Sequence, residues 1–350
     1  MVGRVLLCAG ALAGGAALAH MTRPVAQSAA PPAVVEGILP PAVIDEPTHP
    51  QPPAPPAIAA AEPGEPAELA GDEDAQPLDA LGSDLREGMV ITGGTPHRMI
   101  LFSFDDGPDH RYTPGLLDTL DGLGVRALFF LTARRFEGNT PRERRLAEIA
   151  QEIVRRGHVV GSHTMDHVQL PLLSREELEA QVVGTEQVFE RVLGARPWLI
   201  RPPGGSRSAR IDAWLATRGY TQVMWNLGTG DFQVRTSDDV VRTFTRVLER
   251  RERENGERGG IVLLHDIHAW SVEALPRIVR HLEARNCELL AAGEELYDIV
   301  DDPRPFFVAR GEANPSEEAP PAMPEREWID ARQARLRADA EARCAQLASL

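Results

Sequence analysis

The stretch MILFSFDDGP, residues 99–108, decides the fold. Its first six residues, five of them apolar, predict a buried strand. Two adjacent carboxylates, Asp105 and Asp106, follow at the carboxyl end of that strand, before the turn signal Gly107-Pro108. Functional side chains of parallel α/β folds gather at the carboxyl ends of strands. The stretch therefore predicts one strand of the core and one side of a functional site.

Outward from this stretch, short apolar runs alternate with amphipathic stretches. Strands that alternate with helices pair in parallel, so the predicted fold class is α/β, and about seven such units suggest a barrel, complete or incomplete, rather than an open sheet. The strands are predicted at 99–104, 127–132, 159–162, 198–201, 222–225, 261–265 and, as a last strand, 289–291. The helices are predicted at 114–123 with Thr113 as its cap, 142–156, 174–193 with a Ser174–Glu177 capping box, 208–218, 237–254 and 271–285.

The flanks of this core differ from it in composition. Of the 29 prolines, 14 lie in residues 24–77 and six in 303–324. Segments rich in Pro, Ala and Glu cannot bury enough apolar surface to offset their ordering entropy. Disordered linkers are therefore predicted at 20–90 and 303–324, around a domain at 91–302. Residues 325–350 are predicted as a C-terminal helix, for which a mostly solvated charged helix is favoured over one docked on the domain or on a partner.

Residues 1–19 are typical of a secretory signal peptide. One arginine precedes an apolar run, 5–18, and the end of the run fits cleavage after Ala19. This run is short for a membrane-spanning helix, although an uncleaved anchor that tethers the chain to a membrane is the alternative. Either way we expect export to the periplasm, the cell envelope or the extracellular space. Cys287 and Cys344 could then pair in an oxidising compartment.

The charge balance excludes several classes of protein. The net charge is −15, whereas a nucleic-acid surface needs a clustered positive field, so no nucleic-acid partner is expected. All 37 basic residues are Arg, and the absence of Lys excludes Schiff-base lysine chemistry and a P-loop lysine. Three cysteines are too few for a disulfide scaffold or a Cys-rich zinc site.

A candidate metal site arises from residues after two predicted strands. His163 and His167 are four apart, and on one helical turn both rings would face the same way and could ligate a metal. Such a pair alone is more often two surface histidines. Asp106 changes that balance, because it completes a His-His-Asp set that leaves positions open for water and substrate. Zinc is the first choice for these ligands, and cobalt, nickel and iron suit the same set.

The neighbouring carboxylate has a different expected role. If the segment is extended, Asp105 and Asp106 point to different sides, so one can bind the metal while the other faces the bound water. A buried Arg201 could pair with Asp105, keep it ionised and orient it. The alternatives are that the two aspartates form a polar turn and that Arg201 is a surface arginine before a proline turn.

Five segments, in this order, resemble the polysaccharide deacetylase family, the NodB-homology domain of carbohydrate esterase family 4, over about residues 97–300. The family implies a distorted (β/α) barrel and metal-dependent removal of acetyl groups from sugars. The matching segments are Phe104-Asp105-Asp106-Gly107-Pro108, His163-Thr164-Met165-Asp166-His167, Arg201-Pro202-Pro203, the segment around Asp231, and Leu263-Leu264-His265.

The resemblance implies a role for each matched residue. The implied roles are metal ligand for Asp106, His163 and His167, general base for Asp105 with Arg201 beside it, general acid for His265 held by Asp231, oxyanion donor for the backbone N–H of Gly204, and wall of an acetyl-methyl pocket for Trp225 and Leu263. Leu263 alone would be plain core. The sequence departs from the family at Gly204, where an aromatic residue is usual, and at Phe232, which replaces the usual Trp.

The expected function is metal-dependent N-deacetylation of an N-acetylhexosamine polysaccharide, either peptidoglycan or a chitin-like polymer, with release of acetate. One alternative is an O-acetyl esterase that acts on xylan or another acetylated glycan. Another is a non-catalytic, exported protein that binds glycans or serves as a scaffold. This last alternative predicts no bound metal and no acetate release.

Overall fold

A computed structural model describes residues 80–81, 90–301, 306 and 326–348, with side chains as far as 345. The predicted signal segment 1–19 lies outside the described residues. So do the two predicted linkers, apart from the few positions just given. The predicted domain boundaries stay a prediction.

Nine strands form one sheet in the described part of the chain, and all their mutual pairings are parallel. The order is β1-β6-β5-β4-β3-β2-β8-β7, and β9 pairs with the start of β2. The strands are β1 Val90–Ile91, β2 Met99–Asp105, β3 Leu128–Leu131, β4 Val159–Ser162, β5 Leu199–Ile200, β6 Thr221–Val223, β7 Leu227–Gly228, β8 Gly260–His265 and β9 Asp298–Ile299. The sheet curls into an incomplete barrel, which confirms the predicted α/β class.

Seven α-helices accompany the strands in the described residues. They are α1 Thr113–Leu123, α2 Pro141–Arg155, α3 Arg175–Leu193, α4 Ala209–Thr217, α5 Ser237–Asn255, α6 Ala269–Ala292 and α7 Arg326–Ala348. The capping box at the start of α3 is confirmed, because Ser174 and Glu177 each bind the backbone of the other. None of the described helices combines the length and apolar composition that crossing a lipid bilayer requires.

Two local predictions are wrong. Residues 289–291 belong to α6, and the last strand is β9, which begins at Asp298. Thr113 does not cap α1, since it is the first helical residue. Its hydroxyl accepts the N–H of Asp109 and donates to the buried carboxylate of Asp266. These hydrogen bonds tie the start of α1 to the residue that follows β8.

The side chains of the sheet divide into two cores. One face of β2, β3 and β8 packs against the helices through residues such as Phe104, Phe129 and Leu264. The other face fills the barrel interior with residues such as Phe130 and Ile261. Because side chains alternate along a strand, the interior face of β2 carries residues 101, 103 and 105. Residue 105 is Asp105, the carboxylate expected to act as the general base.

The C-terminal helix corrects the sequence analysis, because α7 docks on the domain rather than standing in solvent. Gln333 exchanges two hydrogen bonds with the backbone of Leu296, at 2.8 and 3.0 Å. Arg332 pairs with Asp298 of β9. A disulfide joins Cys287 of α6 to Cys344 of α7. Trp328, Leu336 and Ala340 also pack against the two cores, but these apolar residues are too scattered along α7 to form a continuous stripe in the sequence.

Removing this disulfide is expected to lower stability by about 2–4 kcal/mol, because the cross-link closes a long loop in the unfolded chain. The variant C287A/C344A should unfold at lower urea concentration than the oxidised protein. Treatment of the natural chain with a reductant is the matched control and should give the same midpoint as the variant. Equal midpoints for the oxidised and reduced chain would contradict a stabilising role.

Candidate active site

The site lies where strands of the sheet end. Asp105 is the last residue of β2, His265 is the last residue of β8, and the two are register partners. Register partners on adjacent strands present their side chains on the same face of the sheet. His163 directly follows β4, and Asp231 follows β7. The carboxyl edge of the sheet thus carries both predicted acid–base residues and one predicted metal ligand.

Asp106 lies in a left-handed conformation, with φ of 73°. The expectation of an extended segment at Asp105 and Asp106 is therefore wrong, because the chain turns at the second aspartate. The turn brings both carboxylates to one imidazole nitrogen. Asp105 Oδ2 lies 3.7 Å and Asp106 Oδ1 lies 3.4 Å from His163 Nε2.

The two histidines meet through an irregular loop, and the predicted helical turn is wrong. Thr164 and His167 both have positive φ, 67° and 56°. The loop is held by backbone hydrogen bonds from residues 133 and 134 to Thr164 and Met165. The ring centroids of His163 and His167 are 4.9 Å apart. The convergence therefore depends on two left-handed residues.

Three side chains could hold a metal ion. One ligand atom from each of Asp106, His163 and His167 lies within 4.8 Å of the other two. His167 Nε2 is 3.3 Å from Asp106 Oδ1, an oxygen that is buried and has no hydrogen-bond partner among the described residues. A buried oxygen without a partner is costly. A cation shared by these atoms would satisfy it, so the donor set fits a divalent metal.

His163 is in the form that a metal ligand needs. Its Nδ1 donates to the carbonyl oxygen of Arg201 at 2.7 Å, which leaves the lone pair of Nε2 free. Burial lowers the pKa of His163 to about 3, so the imidazole is neutral. Neutral imidazole with one nitrogen fixed by a hydrogen bond is the usual ligand form of histidine.

Arg201 is fully buried inside the barrel, which excludes the surface-arginine alternative. Its Nη1 donates to Asp105 Oδ1 at 2.7 Å and to Ser103 Oγ at 2.8 Å. Its Nε and Nη2 donate to the carbonyls of Val223 and Met224. Burial raises the pKa of the Asp105 carboxyl, against the opposing charge and hydrogen bond of Arg201. A carboxylate with a raised pKa is a stronger proton acceptor once ionised.

Asp231 accepts two hydrogen bonds from His265, one from its ring and one from its backbone. Asp231 Oδ1 accepts from His265 Nδ1 at 2.8 Å, and Oδ2 accepts from the backbone N–H of His265 at 2.7 Å. Burial alone lowers the pKa of His265, but the hydrogen bond and charge of Asp231 outweigh it and raise the pKa to about 9. The imidazolium is therefore favoured, with Nε2 left to act on a substrate.

Sequence reasoning missed the residues that hold Asp231. Ser271 Oγ donates to Asp231 Oδ2 at 2.6 Å, and Trp270 Nε1 donates to the backbone carbonyl of Asp231 at 2.7 Å. Both lie in the first turn of α6. A serine and a tryptophan at a helix start carry no signal of this role, because the contact spans some 40 residues of chain.

The three residues expected to form the oxyanion donor and the acetyl pocket come from three different strands or from the turns after them. Gly204 lies in a tight turn after β5 with φ of 61°, and a Cβ there would meet nothing within 4 Å. Trp225 lies 5.4 Å from the Arg201 guanidinium. Leu263 is the register partner of Ser103, two residues before the Asp105–His265 pair. Gly204 and Trp225 follow strands at the rim that carries the metal ligands, whereas Leu263 lies within β8, two residues before its end.

Gly107 has no room for a side chain, because a Cβ would lie 2.3 Å from both carboxylate oxygens of Asp266. We expect Gly107→Ala to lower the free energy of unfolding by about 1–3 kcal/mol, since the buried carboxylate must move. The matched control is Gly115→Ala on α1, where nothing lies within 4 Å and the change should stabilise the helix by up to about 1 kcal/mol. Urea unfolding measures both, and effects of the same sign would contradict the steric argument.

Comparisons with known proteins agree with this geometry. The family model described as Polysaccharide deacetylase matches residues 92–223, which hold both aspartates, both histidines and Arg201. A chitin deacetylase of Pestalotiopsis is 32% identical over 209 residues, 59% of this chain and 66% of the relative. A peptidoglycan-N-acetylglucosamine deacetylase of Bacillus cereus is 29% identical over 195 residues, 55% of this chain and 66% of the relative. The chain thus spans just under two thirds of these relatives.

A solved structure agrees as well. The chitin deacetylase of the fungus Colletotrichum lindemuthianum superposes with a TM-score of 0.50 at 27% identity, over 57% of this chain and 87% of the other. The match to the family model falls on the sheet whose rim assembles the site. Residues 92–223 therefore belong to the polysaccharide deacetylase family.

Proposed function

We propose that the protein is a metal-dependent hydrolase that removes N-acetyl groups from an N-acetylhexosamine polysaccharide and releases acetate. The observation that carries the proposal is the convergence of Asp106, His163 and His167 beside a second carboxylate held by a buried arginine. Relatives that carry the names of peptidoglycan and chitin deacetylases support the substrate class.

Asp106, His163 and His167 would hold the metal, with Zn²⁺ the first choice for two imidazoles and one carboxylate. Bound there, the ion would polarise the acetamide carbonyl and lower the pKa of a water molecule. The chain fixes one of the ligands beforehand, because His163 is held by its hydrogen bond to the Arg201 carbonyl. This ligand then needs little rearrangement on binding.

Asp105 would take the proton of the attacking water. Its Oδ1 is held by Arg201, and its Oδ2 lies 3.7 Å from His163 Nε2, so one oxygen stays free beside the metal site. The guanidinium fixes the carboxylate in one orientation, which is the positioning that proton transfer requires. The backbone N–H of Gly204 would donate to the oxyanion, and Trp225 and Leu263 would enclose the acetyl methyl.

His265 would donate a proton to the departing amine. Its Nδ1 is committed to Asp231, so only Nε2 can reach a substrate. Nε2 lies 4.0 Å from Asp106 Oδ2, on the same rim as the metal ligands. An amine leaves a tetrahedral intermediate poorly without a proton, so an acid at this position suits an amide substrate.

We also propose that the protein is exported, with residues 1–19 as its signal peptide or membrane tether. The Cys287–Cys344 disulfide supports this, because structural disulfides persist in oxidising compartments. The substrate would then be a polysaccharide of the cell envelope or its surroundings.

The test is acetate release from a panel of purified glycans, with and without a chelator. We expect acetate from peptidoglycan fragments or chitooligosaccharides, its loss with chelator and its return with Zn²⁺. Release from acetylated xylan alone would favour the O-acetyl esterase. No release from any glycan by a metal-loaded sample would refute the proposal in favour of a non-catalytic glycan-binding protein.

His265→Ala is expected to lower turnover of an N-acetylated oligosaccharide by about 10²–10⁴-fold. The loss on an activated aryl acetate should be much smaller, because a good leaving group needs little help from an acid. Parallel kinetics on both substrates measure the difference. Equal losses would argue against the role of His265 as an acid.

A further inference from the structure

A cavity of about 460 Å³ opens beside the site, between the turn after β3 and the start of α2. Three arginines line it, together with two threonines, two acids and one leucine: Thr132, Arg134, Arg135, Thr140, Arg142, Glu143, Leu146 and Asp166. Its size fits a small ligand or a substituent of a larger one. None of these residues has a role in the proposed hydrolysis.

The cavity is joined to both loops that carry metal ligands. The N–H of Thr132 donates to the carbonyl of Gly107 at 3.1 Å, directly after Asp106. The next two N–H groups donate to Thr164 and Met165 at 3.1 and 3.0 Å. Asp166 itself lies between His163 and His167 in the chain. A polysaccharide with its reacting group at the metal site would therefore lie close to this cavity.

Both acids near the cavity are already engaged. Asp166 Oδ1 accepts from Arg134 Nε at 2.7 Å. Glu143 closes the capping box of α2 by accepting from the N–H of Thr140 at 2.8 Å. These contacts leave Arg142 without an ion pair among the described residues, while the carboxylate that faces Arg135 is Asp109, at 3.8 Å.

The two remaining arginines are available to a ligand. Arg135 donates to the carbonyl of Pro108 at 3.3 Å, and its carboxylate neighbour Asp109 is 3.8 Å away. Arg142 makes no ion pair or side-chain hydrogen bond within the described ranges. It stands in the first turn of α2, where a positive charge opposes the helix dipole. A locally unfavourable choice of this kind is typical of functional positions.

A second observation points to a ligand. Thr132 is 8% exposed and lines the cavity, and its hydroxyl oxygen has no hydrogen-bond partner in the described part of the protein. Buried polar groups are nearly always paired. The cavity thus offers two guanidinium groups and one unpaired hydroxyl, in a chain whose net charge is −15.

On the basis of the proposed function, we propose that this cavity binds a carboxylate that the polysaccharide carries near its reacting N-acetyl group. Guanidinium groups match the geometry of carboxylates and bind them through paired, charge-assisted hydrogen bonds. A chitin-like polymer carries no carboxylate. Peptidoglycan carries them on lactyl ethers and on stem peptides, so the cavity favours peptidoglycan as the substrate class.

The test compares kcat/KM on two substrates of equal length, a peptidoglycan oligosaccharide with free lactyl carboxylates and a chitooligosaccharide. Arg142→Gln is expected to lower the ratio of the first kcat/KM to the second about tenfold, and Arg142→Glu further. Arg145→Gln is the matched control, since Arg145 lies on the same helix outside the cavity and pairs with Glu148. The ratio should not change in this control. Fragments with and without stem peptides distinguish the two sources of the carboxylate.

Binding to the Asp105→Asn variant, measured by calorimetry, separates this proposal from the proposed function. The carboxylate-bearing glycan should bind more tightly than the chitooligosaccharide, and Arg142→Gln should abolish this difference. That result supports the cavity proposal even if neither glycan is turned over. An unchanged ratio and unchanged binding in Arg142→Gln would overturn the cavity proposal and leave the deacetylase proposal intact. Absence of acetate release from either substrate would instead count against the deacetylase proposal.

Discussion

Asp105→Asn is expected to lower acetate release from an N-acetylated oligosaccharide by about 10²–10⁴-fold, while the protein keeps its metal. The amide cannot accept the proton of the attacking water, but it has nearly the shape of the carboxylate. Asp106, His163 and His167 are untouched by the change. Steady-state kinetics and elemental analysis of the same sample measure the two effects.

The same change removes the anion that faces Arg201, so stability should also fall. Leaving a buried charge without its partner costs about 3–5 kcal/mol. The kinetics therefore have to be recorded well below the unfolding transition of the variant, which a melting curve locates. Unchanged turnover in a folded, metal-loaded sample would remove Asp105 as the base. Loss of the metal would instead mean that Asp105 belongs to the ligand set.

His163→Ala is expected to weaken metal binding by more than about 100-fold, with loss of activity as a consequence. Groups that merely orient a metal ligand cost about 10–100-fold when they are removed, and His163 would be a ligand itself. Its Nε2 is the atom that approaches both carboxylates. Competition with a chromogenic chelator measures the affinity directly.

His281→Ala provides the matched control, because His281 lies on α6, outside the group of possible metal ligands. This variant should bind metal as the natural protein does. If His163→Ala kept the full metal affinity in a folded sample, the metal site would have to lie elsewhere. The double variant with His167→Ala tests whether the second imidazole compensates.

The sequence predicts which side chains meet at the site better than it predicts the backbone conformation that brings them together. Asp105, Arg201 and the Asp231–His265 pair lie as expected, because a strand end fixes both the position and the direction of the residue that follows it. The convergence of Asp106 and the two histidines was also expected, but for another reason. It depends on left-handed residues at Asp106, Thr164 and His167, which no pattern of apolar residues encodes.

Long-range contacts escaped prediction for a similar physical reason. The docking of α7 combines polar contacts of Gln333 and Arg332, a disulfide, and the packing of apolar side chains of the helix on the two cores. The polar contacts have no periodicity and the apolar side chains form no continuous stripe, so the helix resembled a solvated one. β9 was missed because two residues are too short for a recognisable strand pattern.

The guanidinium of Arg201 links the predicted base to the backbone of the barrel interior. One side chain spans the barrel from the carbonyls of Val223 and Met224 to Asp105, with the ring of Phe130 4.2 Å beneath it. Lysine could not replace it, because a point-like ammonium lacks the planar fork that reaches all these acceptors. A substitution of Arg201 would therefore have two effects at once. It would remove the group that orients Asp105, and it would leave two carbonyl oxygens of the barrel interior without their donor.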